Sequence, residues 1–163
     1  MKKKKQQITN AMRMLDKSGI AYEEIEYDAG GEIGENFGER IAELTGLDAE
    51  LSFKTLVTRV KSGIIVACIP VAKELDLKKL AAAAGEKKAE LIHVRELLGL
   101  TGYIRGGVSP IGMKKKYPTL IHESALLYDR VAVSGGMCGV TLLMKPEDLI
   151  AVCAARTADI TKE

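Results

Sequence analysis

Residues 52–70 read S-F-K-T-L-V-T-R-V-K-S-G-I-I-V-A-C-I-P. Two apolar, β-branched runs flank the Ser62-Gly63 dipeptide, and this composition predicts strands over 52–61 and 64–70 joined as a tight hairpin. A tight hairpin demands antiparallel pairing. The segments around it mix helix and strand patterns without strict alternation. The fold class is therefore α+β, a single domain on a curled, mostly antiparallel or mixed sheet flanked by helices, curling toward a barrel.

Upstream of the hairpin, Thr9 caps a helix through about Lys17, with Ala11, Met12, Met14 and Leu15 on its apolar side and Gly19 as its stop. Residues 21–27 look like a strand and 28–34 like a polar, glycine-containing loop. Ile41, Leu44 and Leu47 at helical spacing place a second helix that closes near Gly46. Downstream, Leu75, Leu77, Leu80 and Ala84 give a helix over 74–84 ending at Gly85. A short strand (89–92) and a short helix (94–99) follow, then strands over 119–121, 130–134 and 140–144. Pro146 opens the last helix.

The 163 residues fit one domain, read as a basic tail over 1–7 and a folded unit over 8–160. With no Trp, two Phe and five Tyr, the core must be aliphatic. A net charge of +2 is too small to advertise nucleic-acid binding by bulk electrostatics. The lysines cluster at 2–5, which reads as a solvated tail, and at 114–116, which reads equally as a solvated turn or a phosphate contact. No apolar signal region and no run of about 18 apolar residues is present, so no membrane span is expected and a reduced cytoplasm is the simplest compartment. Cys68 and Cys153 sit in apolar runs and read as small buried hydrophobes; Cys138, after paired glycines, reads as accessible. The three cysteines form no C-x-x-C pair and lack a His at metal-ligand spacing, so no metal is expected.

Residues 101–112 read T-G-Y-I-R-G-G-V-S-P-I-G, and residues 134–139 read S-G-G-M-C-G. Paired glycines beside hydroxyl residues mark either wide turns or backbone that approaches a ligand and aims N–H groups at a phosphate or oxyanion. Two such loops in one small domain could face each other across a pocket. Lys54 shares its strand face with Ser52, Leu56 and Thr58; that face points either to solvent or inward, and an inward lysine requires a charge partner or an anionic ligand. His93 and His122 lack a Ser or Cys nucleophile motif and read as structural. Walker A, dinucleotide-binding and G-x-S-x-G patterns are absent.

In combination and order, F-K-T-L (53–56), P-V-A-x-x-L-D-L-K-K (70–79), the 101–112 loop and V-S-G-G (133–136) resemble the YbaK/EbsC family. These are aminoacyl-tRNA deacylases related to the editing domain of bacterial prolyl-tRNA synthetases, and the similarity runs from the first helix to about Asp159. The resemblance implies hydrolysis of the ester of mischarged tRNA in trans, with Cys-tRNA(Pro) favoured, no cofactor, and prolyl-tRNA synthetase as a potential partner. It implies that Lys54 holds the terminal nucleotide and that the Gly106 backbone lies against the ester. Tyr27, Gly107, Ser109, Ser134, Gly135 and Thr141 are then the expected substrate-binding residues. Thr141 stands where some cysteinyl-tRNA deacylases of the family carry an aspartate, and Met137 and Cys138 replace residues that are often basic. From the residues alone, a non-catalytic binding module using the same pocket, or a structural domain whose glycine loops are only turns, stays open.

Overall fold

The computed structural model describes residues 8–28, 30 and 36–163. The 1–7 tail, with its lysines, and most of the 28–34 loop lie outside the described residues. Helix α1 (Asn10–Lys17) starts where Thr9 accepts a hydrogen bond from the Met12 N–H, and strand β1 (Glu23–Glu26) follows. Helix α2 (Phe37–Thr45) ends at Gly46, whose φ of 75° makes the left-handed exit. The hairpin strands are β2 (Phe53–Val60) and β3 (Gly63–Pro70). Their register pairs Val60 with Gly63, so the two-residue turn is Lys61-Ser62, one position earlier than the sequence suggests. Helix α3 (Leu77–Ala83) is capped by Asp76, which accepts from the N–H groups of Lys78 and Lys79. Strand β4 (Ala89–Leu91), a 3-10 turn (Val94–Glu96) and helix α4 (Leu97–Thr101) lead into the first glycine loop. Strand β5 (Thr119–His122), a 3-10 helix (Glu123–Leu127), strands β6 (Val131–Ser134) and β7 (Val140–Met144), helix α5 (Pro146–Cys153) and strand β8 (Arg156–Ala158) complete the chain.

Two sheets result. One has the order β4-β2-β3-β5-β8, antiparallel across β4, β2 and β3 and parallel across β3, β5 and β8; the other is antiparallel β1-β7-β6. The larger sheet keeps β4 and β8 as edges, so its curl stops short of a closed barrel. A parallel bridge between Ser52 and Ala132, with the Ala132 N–H donating to the Leu51 carbonyl at 2.9 Å, ties the two sheets at the start of β2.

The apolar run in β3 fails to alternate because both faces of the sheet are covered. Cys68 and Ile121 face α1, α5 and the smaller sheet, packing with Met12, Leu142 and Leu149. Ala67, Ile69 and Leu120 face the other way and pack with Leu80 and Ile160. The period-two geometry of a strand sends successive residues to opposite cores. Cys68 and Cys153 are buried, and burial pushes the Cys68 thiol up to about 12. Strand β8 has no apolar pattern of its own; it is a strand because β5 lies beside it, in register from Leu120–Arg156 to His122–Ala158.

Candidate active site

Strand β4 pairs only with Thr58, Arg59 and Val60 of β2, and the last bond on that side runs from the Ile92 N–H to the Val57 carbonyl at 3.2 Å. Strand β6 occupies the very start of that edge through the Ser52–Ala132 bridge, so among the described residues β2 has an open edge only between this bridge and Val57. The Val71 N–H donates to the Ser52 carbonyl at 2.8 Å, so even-numbered main-chain groups turn toward β3. By the alternation of an antiparallel ladder, the main-chain groups of Phe53 and Thr55 turn to the open edge. Along this edge runs a cleft of about 700 Å³ whose walls include Tyr27, Lys54, Gly106, Ser134 and Thr141.

Lys54 sits opposite Ile69 in the hairpin, half-buried, on the strand face that also carries the buried Thr58 and the partly buried Leu56. The inward reading of that face is correct. Burial lowers the Lys54 pKa, while the carboxylates of Glu39 and Glu74 pull it back up. Among the described residues Lys54 forms no ion pair. A half-desolvated ammonium without a paired carboxylate is suited to an anionic ligand.

The 101–112 loop connects α4 to the approach of β5. The Tyr103 hydroxyl donates to the Ile111 carbonyl at 2.6 Å and so closes the loop across its own base. Gly106 adopts φ 88° and lines the cleft. Gly107 serves a different need: a Cβ there would lie 2.9 Å from Met137 Cα and 3.0 Å from the Cys138 nitrogen. The two glycine loops thus touch backbone to backbone at that point, rather than facing each other across open space. The second loop is held by Thr9, whose hydroxyl donates to the Gly135 carbonyl at 2.6 Å, and by Ser134, whose Oγ accepts from the Gly136 N–H at 3.2 Å.

The expected site residues divide into two groups. Tyr27, Lys54, Gly106, Ser134 and Thr141 reach the cleft, Ser134 and Thr141 as register partners in β6 and β7. Tyr27 donates its N–H to the Gly139 carbonyl at 2.9 Å, and burial raises its phenol pKa. Gly107, Ser109 and Gly135 stand behind the wall. Ser109 is fully buried, and its Oγ accepts from the Ile111 N–H at 3.3 Å. His93 and His122 cap the two 3-10 helices and do not line the cleft, although Ile92 and Val94 on either side of His93 do; His122 lies against Ser124, Asp159 and Thr161. Lys114, Lys115 and Lys116 are exposed and outside the main cleft, with Lys115 lining a second hollow of about 590 Å³ beside Arg156.

Sequence reasoning missed Phe37, Gly38, Glu39 and Arg105, all cleft-lining. The helical spacing from Ile41 onward starts α2 too late to include the first three. Gly38 is explained only by the fold: a Cβ there would come 2.8 Å from Val71 Cγ1, where α2 docks on the residue after β3.

No cysteine or histidine lines the cleft among the described residues. A half-buried lysine without an ion pair among the described residues, a glycine-loop backbone and an open stretch of strand edge thus share one cleft. The aminoacyl-tRNA editing domain family matches residues 37–152. Over 161 residues the chain is 45% identical to the provisionally named Cys-tRNA(Pro)/Cys-tRNA(Cys) deacylase EbsC of Enterococcus faecalis, covering 98% of this chain and 97% of that protein. It is 25% identical over 145 residues to the multifunctional Ser/Thr-tRNA deacylase ProXp-y of Escherichia coli K12, covering 85% and 83% of the two chains. A crystal structure provisionally described as a trans-editing enzyme for prolyl tRNA synthetase superimposes with a TM-score of 0.83 over 94% of this chain and 96% of that one; at 24% identity this is a likeness of fold. The chain belongs to the aminoacyl-tRNA editing family.

Proposed function

We propose that the protein is a trans-acting deacylase that hydrolyses the ester of mischarged tRNA, with Cys-tRNA(Pro) as its favoured substrate. The observation that carries this reading is a free, half-buried Lys54 in the same cleft as the Gly106 backbone, in a chain 45% identical to a protein named for Cys-tRNA deacylation. Lys54 takes the phosphate of the terminal nucleotide as a charge-assisted contact. The main chain at Gly106 lies against the ester, where an N–H of that loop stabilises the oxyanion that forms as the carbonyl carbon is attacked.

The attacker is the substrate's own thiol or a bound water. In the first case sulfur bonds to the carbonyl carbon, the carbon–oxygen bond to the ribose breaks, and the ribose oxygen takes a proton; water then opens the four-membered thioester. In the second case water adds directly and the same bond breaks. An aminoacyl ester is activated enough that orientation and oxyanion stabilisation suffice. Tyr27, Ser134 and Thr141 contribute the polar wall of the site, and Gly107, Ser109 and Gly135 hold the two loops in place. Prolyl-tRNA synthetase is the proposed partner in substrate delivery and the cytoplasm the proposed compartment.

The test is a deacylation panel with Cys-, Ala- and Ser-charged tRNA(Pro), run with wild type and Lys54→Ala. Fastest release from Cys-tRNA(Pro), lost in a folded Lys54→Ala variant, is the expected result. Unchanged turnover in that variant would remove Lys54 from the mechanism, and faster release of Ala or Ser would overturn the substrate assignment.

A further inference from the structure

Two carboxylates line the cleft, and their circumstances differ. Glu74 is exposed and pairs with Lys162 at 3.2 Å, so its charge is already engaged at the surface. Glu39 is only partly exposed and sits in the first turn of α2. Among the described residues it makes no hydrogen bond or ion pair, and its charge reaches Lys54. Its place is fixed, because Gly38 beside it is pressed against Val71, and Val71 is bonded to Ser52 at the start of β2. Among the described residues, Glu39 is therefore the one cleft carboxylate without a direct partner, and it shares the cleft with the cations Lys54, Lys73 and Arg105.

An aminoacyl ester on a tRNA end presents the complementary pair, a phosphate and an α-ammonium group. Leaving either uncompensated in a half-desolvated cleft is costly. An ammonium has three N–H donors, and the open-edge carbonyls of Phe53 and Thr55 lie along the same cleft to take those a carboxylate leaves over. We infer that the Glu39 carboxylate receives the α-ammonium of the aminoacyl group, so that the substrate class is aminoacyl-tRNA with a free α-amine and N-blocked aminoacyl-tRNA is spared. This rests on the deacylase reading of the same cleft. Glu39 is thereby a specificity-determining residue for the ester's amino end, separate from the side-chain selectivity discussed above.

The experiment compares Cys-tRNA(Pro) with N-acetyl-Cys-tRNA(Pro) as substrates of wild type, Glu39→Gln and Glu39→Asp. Each rate is divided by the uncatalysed rate of the same ester, since acetylation by itself slows hydrolysis. Wild type should prefer the free amine by roughly tenfold or more, the scale of one charge-assisted hydrogen bond. Glu39→Gln should bring that ratio near one, and Glu39→Asp should keep a preference. A wild type without preference overturns the inference whether or not the variants fold. So does an equal loss on both substrates in Glu39→Gln, because Glu39 would then serve only Lys54. A wild type that releases amino acid from neither tRNA would instead remove the deacylase reading, and the inference with it.

Discussion

Gly107→Ala tests whether contact between the two glycine loops shapes the cleft. Gly107 does not need a left-handed backbone, so an added methyl acts by volume alone. Its Cβ would stand 2.9 Å from Met137 Cα and 3.0 Å from both the Met137 carbonyl carbon and the Cys138 nitrogen, where ordinary contact begins at 3.4 Å. All three are backbone atoms, so no side chain can swing aside and the loops must part by about half an ångström. Overpacking of this kind costs about 2 kcal/mol, which for a domain of this size lowers Tm by roughly 4–8 °C. Gly106 lies next in the chain and on the cleft wall, so the same displacement should reduce kcat/KM about tenfold, given that a 1 Å misplacement can cost about a hundredfold. The assay is a thermal melt together with single-turnover deacylation of Cys-tRNA(Pro). Gly99→Ala is the control, since a Cβ there meets nothing within 4 Å and Gly99 lies inside α4. It should be neutral or slightly stabilising. A Gly107→Ala protein that melts and turns over like Gly99→Ala would refute the reasoning.

Lys54→Met should abolish deacylation and yet raise Tm at neutral pH. Burial lowers the folded-state pKa of Lys54 below its ordinary value, so the unfolded chain binds this proton more tightly and the charged form opposes folding. The penalty is fully present below the folded pKa and fades as pH rises toward the unfolded value of about 10.4, so the Tm advantage of Lys54→Met should shrink at alkaline pH; a lower Tm at pH 7 would contradict the assignment. Thr9→Ala removes both the α1 cap and the bond to the Gly135 carbonyl, and should cost about 2–3 kcal/mol by denaturant unfolding, with Thr9→Ser restoring most of it. Affinity for tRNA should fall as salt rises and vary little with sequence away from the acceptor end; a Kd unchanged between about 50 and 300 mM salt would exclude phosphate contacts as its source.

Much of this architecture is written locally. The 52–70 hairpin, the Thr9 cap, the Gly46 stop and the Pro146 start each follow from neighbouring residues, because turns, caps and stops are decided within a few residues of chain. The glycine loops and Lys54 were also legible as unusual, and the ordered combination of motifs pointed to editing chemistry. Other features were not local and could not be read that way. Strand β8 exists only because β5 supplies its hydrogen bonds. Ser109, beside a suggestive proline in a suggestive loop, proves to be interior. Gly107 is required by Met137 and Cys138, which lie about thirty positions further along the sequence.

By itself the sequence determined the types of most elements, though not β8 or the 123–127 3-10 helix, together with the aliphatic core, the antiparallel hairpin and the residues that break ordinary rules. Only the tertiary structure decided that Lys54 faces inward, that β2 keeps an open edge where β4 stops, and that Glu39 joins Lys54 in one cleft. The physical reason is that burial and electrostatic coupling depend on distance in space. A lysine on a strand acquires its meaning from the helix and loops that the fold brings to it.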